Sequence, residues 1–185
     1  MSIDGEKNLK TRLLELVELD FFILPDVTGK NLLYGNHIII DFMMFPKEHL
    51  VDAGFDPIWF GVEAKHFGVP GETGKMSRFV WQCITYAQSE YEIDEENIRP
   101  AFVLGFSDVF EINENQKEYI QWMGMVKLAG LAKVGFLREI HQTNYYPNGG
   151  WRIKFSSSRY FQFANGEYHR SNYNIFKTNV GNCAN

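Results

Sequence analysis

No stretch of the chain approaches the roughly 18 consecutive apolar residues of a bilayer-spanning helix, so no membrane span is expected. The opening residues, MSIDGEKNLK, have no apolar signal region, and a cytoplasmic location is the expectation. Two cysteines, Cys83 and Cys183, are too few for a disulfide framework, which suits a reducing setting. Together with five histidines they show no zinc-ligand spacing. There is no internal repeat, no low-complexity tract and no long linker, so 1–185 is expected to fold as one domain. The net charge of −5 by itself argues against nucleic acid as a partner.

What is present points to a packed protein. Apolar residues make up 45% and aromatics 16%, which excludes a disordered composition. Charge is unevenly placed. Residues 1–119 hold 10 Lys/Arg against 21 Asp/Glu, a balance of −11, while 120–185 hold 8 against 2, a balance of +6. Such polarity serves either a polyanion on one face or attraction between two halves of one fold.

Residues 7–19 read as an amphipathic helix, with Leu9, Leu13, Leu16 and Val17 on its apolar stripe. FFILPDVTGK is an apolar run broken by Pro25 and a Thr-Gly turn. NLLYGNHIIIDFMMF carries the strongest strand signal, and PIWFGVEAK follows a loop as a second strand. MSRFVWQCITYAQSEY reads as a helix closed by the acidic run EYEIDEEN. RPAFVLGF is a further strand, KEYIQWMGMVKLAGLAK a helix, and the last third a set of short strands with an Asn165-Gly166 hairpin turn. Helices between buried strands predict an α/β fold with a partly parallel sheet.

GVEAK places Glu63 and Lys65 two positions apart, on one face of a strand, directly after an apolar run. Charges there are costly unless paired. Asp41 ends the IIID run 22 positions earlier and would meet Glu63 if the strands are neighbours. Two carboxylates suit Mg²⁺, which takes one or two of them and keeps several waters; the Ala64 carbonyl is a further candidate ligand. Lys65 would lie beside a metal-bound water or a phosphate. The bland alternative is a same-face ion pair worth about 0–1 kcal/mol. Asp56 is a rival acid, but seven positions leave little room for a strand to return to Glu63. His66 points to the opposite face and reads as structural. GETGK is not a nucleotide-binding loop, because Val69 stands where the first glycine is needed and Met76 replaces the Ser or Thr. Lys75 and Arg78 beside it remain candidate phosphate contacts.

Asp41, Glu63-Ala64-Lys65 and the Gln82-x-x-x-Tyr86 spacing together resemble the PD-(D/E)XK nuclease superfamily, and Gln82/Tyr86 its RecB-like exonuclease branch. The resemblance covers roughly residues 10–106. It implies a central mixed four-stranded sheet flanked by helices, restriction-endonuclease-like, here with a core of about 10–135 and a basic, aromatic extension of extra strands over about 136–180. It implies Mg²⁺-dependent hydrolysis of DNA, with Mn²⁺ a substitute; RNA as substrate and a homo-oligomer are left open. Asp41 and Glu63 would bind metal, Lys65 would activate water, and Gln82 and Tyr86 would support the site or substrate. Glu15, with Glu18 behind it, matches the acid that the first helix often supplies. In the C-terminal third, Arg152 and Lys154 lead a set of basic residues among aromatics, which suits phosphate contact and base stacking, or strand core. A non-catalytic binding module on the same fold, and an acidic mimic of DNA, are the alternatives.

Overall fold

The computed structural model describes residues 3–67, 73–108, 124, 129, 133–155 and 159–171. In chain order the elements are α1 (Ile3–Val17), β1 (Phe21–Asn31), β2 (His37–Pro46), α2 (Glu48–Asp52), β3 (Phe60–Ala64) and α3 (Thr73–Ala87). They continue with β4 (Ser89–Ile93), β5 (Glu96–Ile98), β6 (Val103–Phe106), β7 (Val134–Ile140), β8 (Gly150–Lys154), β9 (Tyr160–Ala164) and β10 (Glu167–Arg170). The ten strands form one sheet in the order β10-β9-β8-β7-β6-β3-β2-β1-β4-β5. Only β3–β6 and β6–β7 are parallel; the other pairings are antiparallel.

The α/β class and the mixed sheet agree with the sequence, but the sheet has ten strands where four with an appendage were expected. The C-terminal strands continue the same sheet. β7 pairs with β6, and Trp151, Ile153, Phe155 and Phe161 pack into the same core as Phe60 and Phe102. These aromatics are core, whereas Tyr145 is exposed.

Each face of the sheet is covered by helix. Leu9, Leu13 and Val17 of α1 pack with Leu50 of α2 against Phe42, Val62 and Leu104. Each such side chain contributes roughly 1.5–3 kcal/mol on burial, so this stripe holds α1 in place more than helix propensity does. On the other face, Met76, Phe79, Val80, Cys83 and Tyr86 of α3 pack against Ile40, Met43, Val103 and Phe136.

Two local readings change. Pro25 does not break β1, which pairs with β2 from Phe21 to Lys30. On its other edge β1 pairs with β4 only at Gly29–Asn31, so no ladder donor is needed at the proline. The acidic run after α3 is not a helix end but the β4–β5 hairpin, turned by Asp94 and Glu95 with φ of 51° and 68°. The helix expected over 117–133 lies outside the described residues, except that Gly124 and Ala129 are helical. Tyr173, Lys177 and Cys183 also lie outside them. No helix among the described residues is long and apolar enough to cross a membrane.

Candidate functional site

The β2–β3 ladder runs Met44↔Phe60, Met43↔Gly61, Phe42↔Val62 and then stops. The next pair in that register would be Asp41 and Glu63. The strands part here, and side chains take over the backbone bonds. Asp41 Oδ2 accepts from the Ala64 N–H at 2.9 Å, and Glu63 Oε2 accepts from the Asp41 N–H at 3.4 Å.

The cause is local. Residues i and i+2 of a strand share a face. Ile38 and Ile40 pack on the α3 side, yet Phe42 and Met44 pack on the α1 side, so β2 turns over at Asp41. Opposite it in β1, Asp26 has φ of 50°, between the pairs Pro25↔Phe42 and Val27↔Ile40. Asp tolerates that left-handed conformation, and the chain uses it to release Asp41 from both ladders.

Glu63 is 5% exposed and faces α3. Its Oε1 accepts from Gln82 Nε2 at 2.5 Å, and the same nitrogen donates to the Tyr86 hydroxyl at 2.8 Å. Gln82 and Tyr86, four apart, share one helix face. Burial first, and then the charge of Asp41, push the Glu63 carboxyl up to about 8; Lys10 and Lys65 only partly oppose this. Burial and the charge of Glu63 likewise push Tyr86 up to about 12, and burial raises the Cys83 thiol.

The α1 side supplies cations. Lys10 Nζ lies 2.5 Å from Asp41 Oδ1, and Lys65 Nζ lies 3.2 Å from Glu6 Oε2. Burial pulls Lys10 down, but its bond to Asp41 and the charge of Asp41 outweigh this and hold it above the ordinary lysine value. Lys65 lies just past the end of β3, where the two-residue alternation no longer applies. Its ammonium therefore turns to α1 while Glu63 turns to α3, and the two do not stand side by side as the spacing suggests. Next to it, His66 Nδ1 lies 3.1 Å from Asp108 Oδ2, and Asp108 Oδ1 accepts from the Phe67 N–H. The His66 ring rests against Gly5, where a Cβ would come within 2.4 Å of it.

The structure thus brings together Asp41, Glu63, Ala64, Gln82 and Tyr86, with Lys65 at the rim. Lys75 and Arg78 lie on the Gln82 side of α3, seven and four residues before it. Glu15 is not brought in. Nine residues from Glu6 put it about half a turn round the helix and about 13 Å along. It lines a separate cleft of about 630 Å³ with Arg12, Asp20, Glu139 and Trp151. Glu18 follows the end of α1 and is exposed. The rival Asp56 is paired with Arg170 at 3.3 Å. Arg152 and Lys154 sit on β8, three strands from β3. The sequence reading missed Glu6, Lys10 and Asp108. Glu6 lies before the expected start of the helix, and Lys10 carried a signal only as its neighbour one turn on.

Among the described residues no three His, Cys, Asp or Glu side chains converge as a metal cluster. Mg²⁺ does not need three: two hard carboxylates and main-chain oxygen suit it. The Glu63 environment fits a cation, because the buried carboxyl meets a second carboxyl and only neutral donors within hydrogen-bonding reach. No family model, no curated protein and no solved structure matches the chain.

Proposed function

We propose that the chain is a metal-dependent nuclease of PD-(D/E)XK type that hydrolyses DNA phosphodiester bonds. The observation that carries this is buried Glu63 beside Asp41, at the point where β2 and β3 part. Adjacent strands β1, β2, β3 and β6, between α1 and α3, would be the four-stranded nuclease core within the larger sheet.

Asp41, Glu63 and the Ala64 carbonyl would hold Mg²⁺ or Mn²⁺. Bound there, the ion would polarise the scissile phosphate and acidify a water. Gln82 fixes the orientation of Glu63, and Tyr86 fixes Gln82. Lys65, anchored by Glu6, stands beside the site, where it would stabilise negative charge developing on the phosphate. Lys75 and Arg78 on the α3 side, and Arg152 and Lys154 on β8, would contact substrate phosphates.

The test is cleavage of single-stranded and duplex DNA with Mg²⁺ or Mn²⁺ by the parent, Glu63→Ala and Lys65→Ala. Each variant should lose about 100-fold or more. Equal residual activity in all three would overturn the assignment. One observation favours a second reading, a non-catalytic nucleic-acid-binding module. Lys10 already neutralises Asp41, and Glu63 holds its proton at neutral pH, so the site balances its charge without metal. Binding that persists in chelator and in Glu63→Ala, with no cleavage, would decide for it.

A further inference from the structure

The sheet register aligns charges that are distant in the chain. Glu63↔Gly105, Gly105↔Phe136 and Phe136↔Lys154 form one row from β3 across β6 and β7 to β8. Three strand spacings separate its ends, about 14 Å. Two residues further along β7, at the level where Lys65 leaves β3, Arg138 stands directly opposite Arg152 of β8.

Alternation puts both arginines on the α3 face, the face of Glu63. Their strand neighbours Leu137, Trp151 and Ile153 pack on the α1 side, and Glu139 turns there to meet Arg12. Like charges directly opposite on antiparallel strands destabilise a sheet. Arg152 is held in place by its neighbours on β9. Arg152 Nε donates to Gln162 Oε1 at 2.9 Å, and its guanidinium lies over the Tyr160 ring at 5.8 Å. Among the described residues, this face of β7, β8 and β9 carries no Asp or Glu. Paired guanidinium forks match the geometry of a phosphate.

We propose that Arg138 and Arg152 clamp one phosphate of a nucleic-acid strand that runs from the Asp41–Glu63 site across the sheet, with Lys154 on a neighbouring phosphate. The direction of the strand rests on the nuclease reading; the clamp itself does not.

The experiment measures binding of labelled single-stranded and duplex DNA oligonucleotides across a salt series, in chelator, to Glu63→Ala with and without Arg138→Gln/Arg152→Gln. The double change should weaken binding at least about tenfold and make the log–log salt slope shallower by about 1–2. Arg138→Lys/Arg152→Lys, which keeps the charge, should retain most of the slope, and this arm holds if the glutamine pair fails to fold. Loss in either form of DNA supports the clamp, and the form that loses more is the one it serves. Unchanged affinity and slope in the glutamine pair, a slope lost equally in the lysine pair, or no binding by the Glu63→Ala parent at low salt overturns it. If the unaltered chain cleaves DNA and the glutamine pair binds like its parent, the clamp falls alone. If the clamp variants lose binding and the unaltered chain cleaves nothing, the clamp stands and the hydrolytic reading falls.

Discussion

Asp20 and Glu63 are both buried carboxylates near α1, 8% and 5% exposed, and their surroundings differ in kind. Asp20 follows α1 and joins three elements. Its Oδ2 accepts from Trp151 Nε1 of β8 at 2.7 Å, and its Oδ1 lies 2.9 Å from His49 Nε2 of α2. Glu63 joins β3 to α3 through a neutral amide, and a second carboxylate stands beside it. A buried acid whose oxygens meet N–H donors from several elements pins a fold together. A buried acid facing another acid costs free energy until a cation or a proton arrives. The difference separates a structural carboxylate from a candidate metal ligand, although both are equally buried.

The widest gap between the two should show in activity. Glu63→Ala should reduce cleavage about 100-fold or more, while Asp20→Asn should leave kcat of the folded fraction unchanged; single-turnover cleavage compares them. A loss of chemistry in Asp20→Asn would remove the distinction.

Stability against pH should come next. The Glu63 carboxyl titrates near 8 in the folded chain and ordinarily near 4.5. The folded state therefore binds more protons between those values, and stability falls as pH rises through the window. Glu63→Gln should abolish that decline, on the order of a few kcal/mol, in denaturant titrations in chelator at pH 5, 7 and 9. Added Mg²⁺ should restore the parent at high pH and not Glu63→Gln. A parent whose stability is flat over this range, with or without Mg²⁺, would contradict the contrast.

Asp20→Ala strands the buried Trp151 Nε1 donor and should cost about 2 kcal/mol in the same denaturant titrations. The smallest effect should be that of Tyr86→Phe, which removes one bond to Gln82 and should cost about 1 kcal/mol or less. Its cleavage should fall only several-fold, through looser positioning of Glu63, with kcat moving more than KM.

The positions of most elements were legible because they rest on local pattern. IIID, WFGVEA and FVLG are short apolar runs rich in β-branched and aromatic residues, which favour strands, and they became parts of β2, β3 and β6. The 3.6-residue stripe of Leu9, Leu13 and Val17 marks α1 wherever its ends fall. Asn165-Gly166 turns β9 into β10 with φ of 57° and 78°, as its chemistry dictates. EYEIDEEN misled because its charges suggest solvent, while a hairpin at the sheet edge also leaves Glu92, Asp94, Glu95 and Glu96 exposed.

By itself the sequence determined that Asp41 and Glu63 interrupt apolar runs, which is a statement about neighbours in the chain; Asp41 does not end its strand as the IIID run suggests, because β2 continues through Phe42 to Pro46. The sequence also determined that Gln82 and Tyr86 share a helix face. Only the tertiary structure decided that β2 turns over at Asp41, that Lys65 swings to α1, and that Glu6 and Lys10, rather than Glu15, meet Lys65 and Asp41. It alone set Arg138 opposite Arg152. Helix phase relative to the sheet and the register between strands arise from packing among distant residues, and no local spacing encodes them.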